Sequence, residues 1–116
     1  MHKYRSLHAW QRARDASLAV LRATDASYHP RTIALFNQLR RAAISVELNI
    51  VEGYALESRP QFVRHLRIAM GSAAEAQCAT ELARELGYLK PEIGDQLDKL
   101  FDKLIACLFG LLKRLR

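Results

Sequence analysis

Apolar residues recur at three- and four-residue intervals along most of the chain, and no stretch bounded by turn residues alternates as a strand would. The pattern is plainest from Ile33 to Tyr54. At about 100° per residue, Leu35, Phe36, Leu39, Ala42, Ala43, Val46, Ile50 and Tyr54 fall on one side, which predicts a long helix with a buried stripe. A second apolar group, Ile33, Ile44, Leu48 and Val51, lies about a quarter turn or more away, so a single neighbouring layer need not cover both. The remaining side is polar, with Gln38, Arg41, Ser45, Asn49 and Glu52 in line.

Three further helices follow from the same spacing. Ser6, with Leu7 beside it, is placed to cap a first helix over about residues 7–26, with Trp10, Ala13, Ser17, Val20, Leu21 and Thr24 turned inward. Tyr28-His29-Pro30 breaks it, because proline disfavours helical geometry in the residue before it, and Pro30 can open the second helix, about 31–55. That helix is expected to end around Gly53 to Leu56, where the glycine suits a cap or a bend, and Ser58 with Pro60 starts a third, about 59–86. Phe62, Val63, Leu66, Ala69, Met70 and Ala73 share one side of helix three. Ile68, Ala79, Leu82 and Leu86 form another apolar strip, and Gly87 suits the position after the helix.

The fourth helix, about 91–115, interleaves Leu97, Leu100, Leu104, Cys107 and Leu111 with Phe101, Ile105, Leu108, Leu112 and Leu115, and Phe109 lies beyond both stripes. The apolar arc is wider than the ~100° that a surface helix needs. Short loops between long helices make neighbours antiparallel, so the predicted fold is one all-α domain over residues 1–116, an up-down-up-down four-helix bundle. Surplus apolar faces on helices two, three and four predict a homo-oligomer, since a lone bundle would expose patches of the size that mark interaction sites.

Composition adds a charge bias. The 116 residues carry a net charge of +6. Residues 1–26 contribute +3 (five Lys/Arg, two Asp) and residues 89–116 contribute +2 (six against four), while 27–57 are neutral and 58–88 carry +1. The excess cations therefore belong to the first and last helices, and a basic surface favours an acidic partner such as nucleic acid. No segment has the ~20 uncharged apolar residues of a membrane span. No apolar run follows Met1-His2-Lys3-Tyr4-Arg5 as a secretory leader would, so the expected address is cytoplasmic. Cys78 and Cys107 stand alone, which predicts small buried thiols.

The motifs that would make this chain an enzyme or a metalloprotein are missing. No Glu-x-x-His places an acidic residue three positions before a histidine, and His2, His8, His29 and His65 read as solvated surface imidazoles. Neither a phosphate-binding glycine loop nor a Gly-x-Ser-x-Gly elbow occurs, and Glu52 with Glu75 lack an accompanying nucleophile or base. The expectation is no catalysis, no cofactor and no metal. The polar stripe has a structural reading, in which Arg41 pairs with Glu52 or Glu75 at a helix or subunit contact and Gln38, Ser45 and Asn49 complete the network. Candidate phosphate contacts are Arg12, Arg14, Arg40, Lys99, Lys103, Lys113 and Arg114, interrupted by Asp15, Asp98 and Asp102. Trp10 keeps the apolar period, as a core or interface anchor does, rather than standing out as a platform for bases.

Three blocks, Gln38-Leu39-Arg40-Arg41-Ala42-Ala43-Ile44-Ser45, Asn49-Ile50-Val51-Glu52-Gly53 and Ile68-Ala69-Met70-Gly71-Ser72-Ala73-Ala74-Glu75, come in an order and spacing that resembles the family of 23S rRNA intervening-sequence proteins. Leu7 with Trp10, Tyr28-His29-Pro30 and Leu86-Gly87-Tyr88-Leu89 extend the resemblance over most of the chain. It implies an antiparallel four-helix bundle assembled as a pentamer. It also implies kinship with accessory proteins of diversity-generating retroelements, which are basic pentamers that bind nucleic acid and a reverse transcriptase. Tyr54-Ala55-Leu56-Glu57 stands where relatives tend to carry a Gly-Arg-type basic turn, so phosphate contacts by such arginines do not carry over. Two functions are thus expected. The first is a non-enzymatic homo-oligomer, taken as a pentamer, that binds RNA or DNA non-specifically through a basic surface. The alternative is a scaffold that presents a surface to another protein and binds no nucleic acid.

Overall fold

The computed structural model describes residues 3–26 and 29–116. His2 of the histidine set and Tyr28 of the expected break lie outside those residues. Four helices carry the fold: α1 (His8–Ala26), α2 (Ile33–Ala55), α3 (Arg59–Glu85) and α4 (Pro91–Arg114). Each packs on its neighbour in sequence, and α4 closes back on α1, with no packing across either diagonal among the described residues. This is the antiparallel up-down-up-down bundle, 42 Å long and 22 by 21 Å across.

The helix ends follow the local chemistry with three corrections. Ser6 does not cap α1: it belongs to a 3-10 turn, Lys3–Ser6, where its hydroxyl donates to the Lys3 carbonyl at 2.8 Å. Pro30 opens a second 3-10 turn, Pro30–Thr32, ahead of α2, and His29 caps that turn by accepting from the Arg31 amide at 3.2 Å. Gly53 is neither cap nor bend. It lies buried inside α2, and the reversal comes later at Glu57, which takes φ 51°. Elsewhere the expected signals act as such. Ser58 caps α3, accepting from the Gln61 amide at 3.5 Å. After α3, Gly87 at φ 75° lets its own N–H reach the Arg84 carbonyl and the Tyr88 N–H reach the Ala83 carbonyl, the double bond of a Schellman end.

The core stripe of α2 is Phe36, Leu39, Ala42, Ala43, Val46 and Ile50, all buried, with Leu35 and Tyr54 half-buried at its margin. Opposite it α4 buries Leu97, Phe101, Leu104 and Leu108. The other two helices bury mostly small residues: Ala9, Ala13, Ala16, Ser17, Val20, Ala23 and Thr24 on α1, and Ala69, Ala73, Ala76, Ala79, Thr80 and Ala83 beside Leu66 on α3. Of the larger α1 residues assigned inward, Trp10 is half-buried and packs against the core, and Leu21 is half-buried. Buried hydroxyls are satisfied by carbonyls, Thr24 to Val20 at 2.8 Å, Thr80 to Ala76 at 2.9 Å and Ser17 across to Ala43 at 3.2 Å.

Candidate nucleic-acid interface

The α2–α3 seam gathers most of the polar stripe read from the sequence. Asn49 is its hub: its amide N–H donates to the Ser45 carbonyl at 2.9 Å, and its carbonyl oxygen lies 3.0 Å from Nδ1 of His65 on α3. Ser45 reaches Ser72 at 2.9 Å, and Gln38 donates to Glu75. His65 is therefore not the solvated imidazole expected of it: it is buried, with the Glu52 carboxylate 3.9 Å from its Nδ1. Gly53 explains how it fits. A Cβ at that position would stand 2.7 Å from the His65 Cβ, so the missing side chain is what lets α2 and α3 come together there. Arg41 pairs with neither Glu52 nor Glu75 within the chain. It stands exposed, Glu75 is taken by Gln38, and Glu52 lies three turns along the same helix, about 16 Å away.

Outside this seam α2 and α3 present apolar side chains to the surface. Ile44, Leu48, Ile68, Leu82 and Leu86 are all exposed, Leu48 to 59%. The antiparallel pairing that sets Ser45 against Ser72 and Asn49 against His65 brings Leu48 to the level of Ile68. Cys78 is exposed rather than buried, and Cys107 is half-buried. No group of three metal-binding side chains occurs among the described residues, and no described helix is long and apolar enough to cross a membrane.

The candidate phosphate contacts divide by what holds them. Arg14 is committed within the bundle, bonding Glu47 of α2 through Nε at 2.8 Å and Nη2 at 2.7 Å, with its guanidinium carbon 5.0 Å from the centre of the Trp10 ring. Trp10, half-buried, also meets Tyr4 edge-on at 5.3 Å, so it anchors the α1–α2 margin. Arg40 likewise pairs with Asp25 at 2.7 Å. Arg12, Lys99, Lys103, Lys113 and Arg114 are exposed and have no ion pair among the described residues. Of the three aspartates that interrupt them in sequence, Asp98 and Asp102 are drawn toward α3, while Asp15 stays exposed on α1. Gln77 of α3 donates to Asp98 at 3.0 Å and to Asp102 at 2.8 Å, and Arg84 of α3 pairs with Asp95. Arg22, overlooked in the sequence among the other α1 cations, is exposed and lines a cavity between α1 and α4.

A sequence model of the 23S rRNA-intervening sequence protein family matches residues 5–110. The chain belongs to that family. The match takes in all four helices of the intervening-sequence protein fold up to the last turn of α4. Among solved structures, it is similar to a protein of unknown function from the S23 ribosomal protein family of Bacteroides thetaiotaomicron. The TM-score is 0.79 at 18% identity, over 90% of this chain and 98% of that one, a likeness that speaks for the fold. A search among curated proteins found no match.

Proposed function

We propose that this intervening-sequence protein is a non-enzymatic homo-oligomer, a pentamer, that works in the cytoplasm and binds RNA or DNA without sequence specificity. The observation that carries the reading is an uneven surface: of the eight large apolar side chains exposed among the described residues, five lie on the α2–α3 side, with Leu56 after α2, Leu18 on α1 and Phe109 on α4. Exposed Ile44, Leu48, Ile68, Leu82 and Leu86 lie on the α2–α3 side, where a second copy would cover them. On α1 and α4, Arg12, Arg22, Lys99, Lys103, Lys113 and Arg114 stand exposed without a carboxylate partner, against four acids without a cation partner among the described residues, Asp15 and Glu92 with no bond and Asp98 and Asp102 bonded to the neutral Gln77. Copies joined through α2 and α3 would turn this basic side outward. A reverse transcriptase or other protein that handles nucleic acid is the kind of polypeptide partner such an assembly would serve.

The test is a titration with labelled single-stranded and duplex oligonucleotides over a salt series, alongside sedimentation of the free protein. The proposal expects a multimer whose binding weakens steeply with salt, with a strongly negative log-log slope. A multimer that shows no saturable binding at low salt would instead act as a protein-interaction scaffold.

A further inference from the structure

We infer that the seam between α1 and α4 is a track for a single-stranded phosphodiester chain. This rests on the nucleic-acid reading above and narrows it from a basic side to one groove. Two cavities open along this seam. One, of 380 Å³, is lined by Ser6, His8 and Ala9 on one wall and by Ala106, Gly110 and Arg114 on the other. The second, of 290 Å³, lies between Ala19, Arg22 and Ala23 of α1 and Ile93, Gln96 and Leu97 of α4. Since both lie between the same antiparallel helices, they fix the register, and Arg12 falls at the level of Lys103 between them. Arg12 shares the stripe of Ala19, Ala23 and Ala26, while Lys103 shares that of Gln96, Gly110 and Arg114.

The groove that results mixes small residues with Leu7, Leu111, Ile93 and Leu97 on its walls, has Arg22 and Arg114 at its two cavities, and has Arg12 and Lys103 between them by register. From Ala9 to Ala23 it runs about 21 Å along α1. Its charge follows from how the carboxylates are spent. Asp95 pairs with Arg84 of α3, and Asp25 and Glu47 hold arginines at the α1–α2 margin. Asp98 and Asp102 keep their charge but bond Gln77 on the α3 side of α4; Arg22 and Arg114 line the cavities, and Arg12 and Lys103 are exposed between them by register. Asp15 and Glu92 temper that field without pairing. A duplex is a stiff cylinder that could meet only the lips. A single strand can lay phosphates along the lips and turn unpaired bases into cavities of this size. Among the described residues no Phe, Tyr or Trp lines either cavity and His8 is the one aromatic ring there, so ionic contacts rather than stacking would dominate its affinity.

The experiment compares the full chain with R12Q/K103Q and with the charge-matched pair R31Q/R67Q, whose sites lie off the seam, Arg31 in the turn before α2 and Arg67 at a cavity between α3 and α4. Circular dichroism would first confirm that all three fold alike. Binding of labelled 20-nucleotide mixed-sequence single strands and duplexes is then read between 50 and 200 mM salt. The full chain is expected to bind the single strand more tightly than the duplex. R12Q/K103Q should weaken single-strand binding about tenfold and reduce the salt slope by about 1.4, the share of two phosphate contacts. R31Q/R67Q should change it by less than about threefold. Equal losses in both pairs, a preference for duplex, or equal displacement of the strand by polyglutamate would overturn the track while leaving a basic side that binds polyanions. No binding by the full chain in any salt would overturn the nucleic-acid reading itself, and the track with it.

Discussion

The two halves of this bundle solve the same packing problem with opposite surfaces. On the α2–α3 side the helices are joined by a hydrogen-bonded seam, Gln38 to Glu75, Ser45 to Ser72 and Asn49 to His65, and they leave branched apolar side chains outside it. On the α1–α4 side no such polar seam runs between the helices. The contact there is lined by small residues, and the surface beyond carries unpartnered cations. Hydrogen-bonded side chains at a margin fix the approach of two helices but stabilise only modestly, each bond by about 0.5–1.5 kcal/mol. Exposed leucines stabilise nothing until something covers them. In the proposed function the two sides would take different tasks, self-association on one and a charged ligand on the other.

The sharpest way to break the comparison is to put charge into the apolar side. In the proposed assembly Leu48→Lys together with Leu82→Lys should reduce the multimer to a monomer, read by sedimentation, with helix content unchanged, because both side chains are exposed in the single bundle. Gly53→Val should be next in size. Its Cβ would meet the His65 Cβ at 2.7 Å, and prising α2 from α3 should cost about 1–3 kcal/mol in urea unfolding. An unchanged unfolding midpoint would mean that the close approach is not a constraint. Asn49→Ala removes the hub that serves both Ser45 and His65 and should cost about 1–2 kcal/mol by the same measurement. At the small end, Glu57→Gly relieves a left-handed backbone that favours glycine and should gain up to about 1 kcal/mol. In the monomeric double-lysine background, Arg41→Ala should shift stability by no more than about 0.5 kcal/mol, because Arg41 has no partner among the described residues.

Helix periodicity made the bundle legible from sequence, since Phe36, Leu39, Val46 and Ile50 on α2 and Leu97, Phe101, Leu104 and Leu108 on α4 keep strict three- and four-residue spacing. It failed where alanine carries the core. Ala9, Ala16 and Ala23 give little contrast with polar neighbours, so Trp10 and Leu21 were drawn inward in their place. Pairing across the seam was only partly readable. The stripe from Gln38 to Glu52 was evident, but its partners on α3 depend on register, which hid His65 inside the seam and left Arg41 outside it. Charge was misleading in a related way. Asp98 and Asp102 interrupt Lys99 and Lys103 in sequence, yet helix geometry turns the acids to Gln77 and leaves the lysines exposed. Conversely, Arg14 and Arg40 look like surface cations until α2 and α1 supply Glu47 and Asp25.

Sedimentation equilibrium of the unmodified chain at micromolar concentration, repeated for Leu48→Lys/Leu82→Lys, bears most directly on the claim that α2 and α3 are covered by further copies. A discrete species of five chain masses, collapsing to one in the variant, is the predicted result. A single mass of 13.2 kDa for the unmodified chain across the concentration range would contradict it.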